Sequence, residues 1–348
     1  GNHYYVQGAA PPIECESPDE DISIAQDILD DDTIHARLGH AGDERIKRTS
    51  SRSIGMDLTH FAGIKHRGCK GCALGRSRKL PHKSSKEGKA RFTHFGQRIQ
   101  SDLCGPFPVA IGGYEYLLVL IDAYSNYSVI FPLFNKTSEE VVECLKAFIS
   151  DYHHVLPNGK VEEWFTDNGG EFISNSIDEF IDEFCERRGF TTPFLPPQNA
   201  LAERLWGILL GPMRAAFAAS DVPFEFWAYC ARHFNHLHNC LPSSSLPDMV
   251  SPFERVFSKK PDISKVKVWG CKCYFHLSDY DKRKLGNHKL DGTAVTAIHL
   301  GDDPSRTRAY LCYIPSLDRI TTGFNVKFQE SQFVDLRVEY QGRVVLRG

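Results

Sequence analysis

Four side chains in the first quarter of the chain have the chemistry of a tetrahedral metal site. His35 and His40 are separated by four residues, Cys69 and Cys72 by two, and the two pairs by 28. Thiolate and imidazole are the donors that Zn2+ takes in closed four-coordinate sites, and Cys-x-x-Cys lets two thiolates reach one ion from a tight turn. Gly68, Gly71 and Gly75 supply the turn flexibility around the Cys pair. Closing such a site can fold a module too small to be stabilised by burial alone. These four residues are therefore expected to hold one structural zinc. His233, His236 and His238 in HFNHLHNC are weaker candidates, since helix positions two apart point to different sides. Cys271 and Cys273 in GCKCYF read as interior strand positions.

Three acids stand where an acid calls for a reason. Asp102, in IQSDLCGPF, ends an apolar strand; Asp167, in WFTDNGGEF, lies where a strand breaks into a Gly-rich turn; Glu203, in PPQNALAER, falls on the first turns of a long helix. Carboxylates at strand ends and on a facing helix can converge. Two Mg2+ or Mn2+ ions about 3.5–4 Å apart need several oxygen ligands at such a point. Taken singly, each acid reads equally well as an N-cap or a turn residue. Asp122, in LVLIDAYSN, and Glu171 are rivals for the same role. The Gly169–Gly170 pair would let a loop pass close to a substrate backbone.

The elements that must position these groups follow from periodicity. Arg98–Leu103, Tyr116–Ile121 and Tyr127–Leu133 read as three strands of an antiparallel meander. Thr137 and Ser138 offer an N-cap for a helix through Val141, Val142, Leu145, Phe148 and Ile149. A strand at Val161–Thr166 follows, then a helix of about 13 residues through Ile177, Phe180, Ile181 and Phe184, closed by Gly189. A short strand at Phe190–Leu195 and a long helix from about Asn199 complete the order βββαβαβα. That order predicts an α/β, ribonuclease-H-like core on a five-stranded mixed sheet. From Val266 onward, short apolar runs (Val266–Trp269, Cys273–His276, Ala294–Leu300, Arg308–Ile314 and Ile320–Phe328) separated by polar turns predict a small β-rich domain, read as a barrel.

A length of 348 residues implies two or three modules. The divisions read from composition are an acidic leader over 1–32, a zinc module over 33–80, a basic linker over 81–93, a catalytic core over 94–260, a β domain over 261–332 and a tail over 333–348. A net charge of −3 conceals strong asymmetry: nine acids and no Lys or Arg stand within residues 1–34, whereas between His35 and Gln100 basic residues outnumber acids about four to one. The run Arg76, Arg78, Lys79, Lys83, Lys86, Lys89, Arg91 would attract polyanions and bind nucleic-acid phosphates without reading sequence. A solvated linker is the plainer reading of the same run. No apolar stretch approaches the roughly 20 residues of a membrane span, and no signal peptide is recognised. Eleven scattered cysteines then read as reduced thiols plus a metal site, in a nuclear or cytoplasmic setting rather than a secreted one. A start at Gly1 reads as a fragment or processed product.

At this point the sequence resembles the integrases of Copia-type (Pseudoviridae) retrotransposons, from about His35 to Glu330. HARLGH followed by CKGC resembles the His-His-Cys-Cys domain that precedes the integrase core, and SDLCGPF, TDNGGEF and PQNALAER resemble the three blocks of a D,D(35)E centre, with 35 residues between Asp167 and Glu203. SPFERVFSKKPDISKVKVWGCKCYFH, KL at 289–290 and TTGFNVKFQE resemble the family segment after the core, often described as SH3-like. The resemblance implies that Asp102, Asp167 and Glu203 are catalytic metal ligands, that His35, His40, Cys69 and Cys72 hold zinc, and that a homo-multimer joins element ends to target double-stranded DNA as part of a Gag-Pol polyprotein's activity. The chain departs from the family at Ala200, where a glycine is expected, and at Leu205, Trp206 and Gly207, where the family has a basic, polar helix face. Pro212 predicts a kinked or terminated helix. These departures leave a second reading open, a decayed or repurposed DNA- or protein-binding relative. A nuclease for RNA–DNA hybrids is a third, against which the zinc and C-terminal β modules argue.

Overall fold

A computed structural model describes residues 29–64, 69–75, 92–166, 169–190, 200–284, 288, 290–303, 306 and 309–336. Most of the expected acidic leader lies outside them. Three short helices come first: α1 (Asp31–Arg37), α2 (Asp43–Arg52) and α3 (Lys70–Gly75). The central sheet then takes β1 (Ile99–Cys104), β2 (Tyr116–Asp122), β3 (Ser128–Leu133), β4 (Val161–Thr166) and β5 (Cys185–Phe190), interleaved with α4 (Ser138–Tyr152), α5 (Asn175–Phe184) and α6 (Ala200–Ser220). Its strand order is β3-β2-β1-β4-β5. The first three strands pair antiparallel and the last two join parallel, which is the mixed sheet expected from the sequence.

Strand β2 shows why this sheet is covered on both sides. Leu118 and Leu120 pack with α4 and α5 residues such as Val141, Leu145, Phe148 and Phe180. Leu117, Val119 and Ile121 pack on the other face with Leu205 and Leu209 of α6. A continuous apolar run, rather than polar alternation, is what a strand buried on both faces requires. Helix α4 starts as read: the Thr137 side chain accepts from the Glu140 amide, and Val141, Val142, Leu145, Phe148 and Ile149 are all buried.

Within the central sheet and its helices two expectations are corrected. Helix α5 stops at Phe184, and the strand begins at Cys185 instead of Phe190. The segment CERRGF carries too much charge to read as a strand, but β5 is the edge of the sheet, where its charges find partners. Arg187 pairs with Glu163 at 3.4 Å, and Arg188 pairs with Asp178 and donates to the Phe172 carbonyl. Gly189 therefore does not close a helix; a Cβ there would stand 2.6 Å from the Phe165 ring. The second correction concerns Pro212, which neither ends nor divides α6: the helix continues through it to Ser220. A helical proline withdraws one amide donor and costs about 3 kcal/mol. Here tertiary packing offsets that cost, for Met213, Ala216 and Phe217 beyond the proline are all buried.

Helices α7 (Trp227–Cys240) and α8 (Pro252–Phe257) follow, then a second sheet from β6 (Cys271–His276), β7 (Ala294–Asp302), β8 (Tyr310–Ile314), β9 (Arg319–Gly323) and β10 (Val326–Phe333), with α9 (Asp279–Lys284) after β6. Its order is β10-β6-β7-β8-β9, antiparallel throughout. Among the described residues no hydrogen-bonded pairing joins β9 to β10, but the Tyr310 ring of β8 packs on Phe328 of β10 with centroids 4.8 Å apart, so the sheet curls on itself as an incompletely closed barrel. Val266–Trp269, expected as a strand, is irregular over 266–268 and leads through a turn at 269–270 into β6, and the Ile320–Phe328 run divides into β9 and β10. Cys271 and Cys273 lie fully buried in β6, as read. No helix among the described residues is long and apolar enough to cross a membrane.

One buried cluster draws on all parts of the chain: Ile34, Leu38 and Ile46 from α1 and α2, Leu205 and Leu209 from α6, Leu237 from α7, and Ile298 and Leu300 from β7. Polar ties reinforce it. Arg37 pairs with Glu330 of β10, which also accepts from the Val268 amide at 3.0 Å, and Arg45 donates to the carbonyls of Pro242 (2.8 Å) and Leu241 (3.2 Å). The closest approach is between α3 and α6. A Cβ on Gly75 would meet the Ala215 amide nitrogen at 2.4 Å and its Cα at 2.7 Å, and one on Gly71 would meet the Ala215 carbonyl oxygen at 2.8 Å. Backbone cannot swing aside as a side chain can. Gly75→Ala is therefore expected to lower stability by about 1–3 kcal/mol, read in a denaturant titration. An unchanged midpoint would mean that α3 is not seated on α6.

Candidate functional site

The four soft ligands converge. His35 lies in the last turn of α1, and Gly39 and His40 both take left-handed backbone conformations (φ +67° and +57°), which turn the chain back so that the two imidazoles meet edge to face with centroids 5.0 Å apart. A non-glycine residue at positive φ is uncommon and clusters where function demands it. The Cys pair arrives at the start of α3. His35 Nε2 is 3.2 Å from Cys72 Sγ, His40 Nδ1 is 3.3 Å from Cys69 Sγ, and all four ligand atoms lie within 4.8 Å of one another.

That geometry fits a closed metal site. Metal–nitrogen bonds near 2.0–2.1 Å and metal–sulfur bonds near 2.3 Å place tetrahedral ligands roughly 3.3–3.8 Å apart. His35 Nδ1 also lies 3.1 Å from the Ala41 carbonyl oxygen. Donation there fixes the tautomer that leaves Nε2 to a metal, the usual outer-shell arrangement for a histidine ligand. Among the described residues this is the only group of three or more ligands so gathered. Of the α7 histidines, His233 and His238 belong to the core instead, whereas His236 is exposed with its Nε2 3.6 Å from Cys240 Sγ. Burial pushes His238 down to about 4 and His233 well below its ordinary value, and His238 Nε2 contacts the Asn126 carbonyl oxygen at 3.0 Å.

Among the carboxylates, Asp102 pairs across β1 and β2 with Val119, so its side chain lies on the sheet face that α6 covers. There the Trp206 indole Nε1 donates to Asp102 Oδ2 at 2.8 Å, and Oδ1 accepts the Leu103 amide at 2.9 Å. Glu203 stands three residues before Trp206, a spacing that shares a helix face, and is exposed. The start of α6 is thereby held over Asp102. Asp167 lies outside the described residues. The parallel register of β1 and β4 pairs Gln100 with Phe165, each two residues before its aspartate.

The rival acids are committed elsewhere. Asp122 is 1% exposed, and its carboxylate accepts from the Gly96 amide (3.0 Å), the Ser125 amide (2.7 Å) and the Ser125 hydroxyl (2.6 Å). Burial raises it to about 6 against the pull of those donors. It fastens the β2–β3 turn to the residues before β1. Glu171 is buried and pairs with Lys136 at 3.0 Å. The basic run from Arg76 to Arg91 falls outside the described residues, and with it the expected phosphate contacts of Arg76, Arg78, Lys79, Lys83, Lys86, Lys89 and Arg91. Sequence reasoning missed the bond from Trp206 to Asp102. The three-residue spacing between Glu203 and Trp206 was its only trace.

Comparison with known proteins bears on the same segments. Residues 93–200 match the family described as integrase core domain, and residues 271–341 match the retroviral polymerase SH3-like domain. The retrovirus-related Pol polyprotein from transposon TNT 1-94 of Nicotiana tabacum is 26% identical over 90% of this chain and 22% of its own length. That from transposon RE1 of Arabidopsis thaliana is 27% identical over 86% of this chain and 19% of its own. The chain thus spans about a fifth of the curated relatives it matches. Among solved structures, the simian T-cell lymphotropic virus intasome in complex with PP2A regulatory subunit B56 gamma aligns at 17% identity and a TM-score of 0.45, covering 85% of this chain and 96% of that one.

Proposed function

We propose that this chain, which carries an integrase core domain followed by a retroviral polymerase SH3-like domain and whose homologues are Copia-type Pol polyproteins of plant transposons, catalyses DNA strand transfer. The observation that carries the reading is the bond from Trp206 to Asp102, which sets the Glu203 end of α6 over Asp102 inside β1. Asp102 and Glu203 offer hard carboxylate oxygens, one half-buried against the sheet and one open to solvent, and Asp167 completes the donor set. Such donors suit Mg2+ or Mn2+. When bound, two such ions polarise an attacking 3′-hydroxyl and stabilise the departing 3′-oxygen in an in-line displacement at phosphorus.

The chain's own residues supply the positions. Asp102 is fixed on a strand with a donor on each oxygen, and Glu203 is carried on a helix packed against that sheet, so the backbones that bear the two carboxylates are placed before substrate arrives. The new phosphodiester forms as the old one breaks, and the displaced 3′-oxygen takes up a proton. No protein nucleophile enters. His35, His40, Cys69 and Cys72 hold Zn2+ in a structural role, and the basic run from Arg76 to Arg91 holds DNA phosphates, while the active form is a homo-multimer on two DNA ends in a nuclear or cytoplasmic setting.

The test is joining of a short labelled duplex, carrying the element's own terminal sequence, into plasmid DNA with Mg2+ or Mn2+. Metal-dependent joined product is expected. A folded, zinc-loaded chain that binds the duplex but joins nothing would instead make it a DNA-binding relative of these enzymes.

A further inference from the structure

The bond between Trp206 and Asp102 has a consequence for metal affinity. Trp206 is half-buried against the cluster that joins α6 to the central sheet, and its Nε1–H points at Asp102 Oδ2 from 2.8 Å. With the Leu103 amide on Oδ1 at 2.9 Å, both oxygens of the carboxylate meet a protein donor, which sets its rotation about the Cβ–Cγ bond. An indole nitrogen only donates, and donation to a carboxylate is charge-assisted. A carboxylate oxygen accepts more than one partner, so a donor on Oδ2 is compatible with a cation at the same oxygen. Groups that orient a ligand from outside the coordination sphere typically change metal affinity or activity by 10–100-fold.

We propose that Trp206 is a positioning residue that presents Asp102 to a divalent cation and keeps α6 in register with β1. The inference rests on the reading of Asp102 as a metal ligand. Trp206 touches neither substrate nor ion in this role; it acts through Asp102. Its cost in an unoriented carboxylate is met during folding instead of at ion binding.

The measurement is calorimetric titration of the zinc-loaded full chain with Mn2+ in the absence of DNA. Asp102→Asn is expected to remove the site. Trp206→Phe, which keeps an aromatic ring and deletes the donor, is expected to raise the Mn2+ dissociation constant roughly tenfold. Trp206→Gln places an amide N–H at the same number of bonds from Cβ and should recover much of the affinity. Mn2+ bound equally by wild type and Trp206→Phe would overturn the inference alone. Mn2+ bound equally by wild type and Asp102→Asn would overturn the catalytic reading beneath it. A second measurement needs no change at position 206. In wild type labelled with nitrogen-15 tryptophan, one of the four indole signals should move both on Mg2+ addition and on Asp102→Asn, and four unmoved signals would overturn the proposal.

Discussion

Glu203→Gln is expected to reduce strand transfer by roughly a thousandfold or more while leaving the melting transition in place. The two effects separate because of where the residue stands. Glu203 is exposed on the first turn of α6, and the packing of that turn comes from Ala202 and Leu205, both fully buried. An exposed substitution of equal size costs within about 0.5 kcal/mol of stability. Losing one charged ligand from a pair of cations forfeits several kcal/mol of transition-state stabilisation, and about 4 kcal/mol corresponds to three powers of ten. Asp102→Asn should lose joining in the same way. The contrast is Asp122→Asn, which puts an amide NH2 against a site that now presents three donors. That variant should lose about 1–3 kcal/mol of stability yet join DNA per folded molecule as wild type does. Joining assays and thermal melts on the three variants check this, and loss of joining in Asp122→Asn alone would move the chemistry to the rival acid.

The contrast also shows what could be read from residue order. Helix α4 was legible because its apolar positions repeat at helical spacing and Thr137 marks its start with a side chain that caps it, and strand β2 because a short continuous apolar run bounded by turn residues suits a strand buried on both faces. The convergence of His35, His40, Cys69 and Cys72 was legible because donor type and spacing are themselves the chemistry of a metal site. Strand β5 was misplaced because Arg187 and Arg188 look like loop residues until Glu163 and Asp178 come alongside, from elements 24 and 10 positions earlier. Pro212 misled for a related reason: local propensity predicts a break, and the burial of Met213 and Phe217 that outweighs it is tertiary. Choosing among Asp102, Asp122 and Glu171 needed their partners. Nothing in LVLIDAYSN reveals that Gly96, 26 positions away, donates to Asp122.

Removal of zinc is the change expected to act farthest from its own site. Chelation, or Cys69→Ser, should lower the stability of the whole chain, not only of the segment that binds the ion. Structural zinc contributes about 10–16 kcal/mol in small zinc-dependent peptides, as much as the 5–15 kcal/mol by which a typical domain is folded at all. Here the ligand-bearing segments are continuous with the rest. Cys69 and Cys72 fix the start of α3, whose Gly71 and Gly75 lie directly on the α6 backbone at Ala215. His35 and His40 fix the end of α1, from which Arg37 reaches Glu330 in the C-terminal sheet and Leu38 enters the cluster that holds Leu205 and Leu209. Loss of the ion should therefore loosen α6 around Ala215, nine residues beyond Trp206 and the carboxylate it holds. Hydrogen exchange is expected to rise in α6 as well as in α1 and α3, with the melting temperature falling by more than about 10 °C, which a loss near 5 kcal/mol gives at roughly 2–4 °C per kcal/mol. Two separate transitions, with α6 exchange unaltered by chelation, would show that the zinc segment unfolds on its own. One transition that moves as a whole would make the four His and Cys side chains part of what positions Asp102 and Glu203.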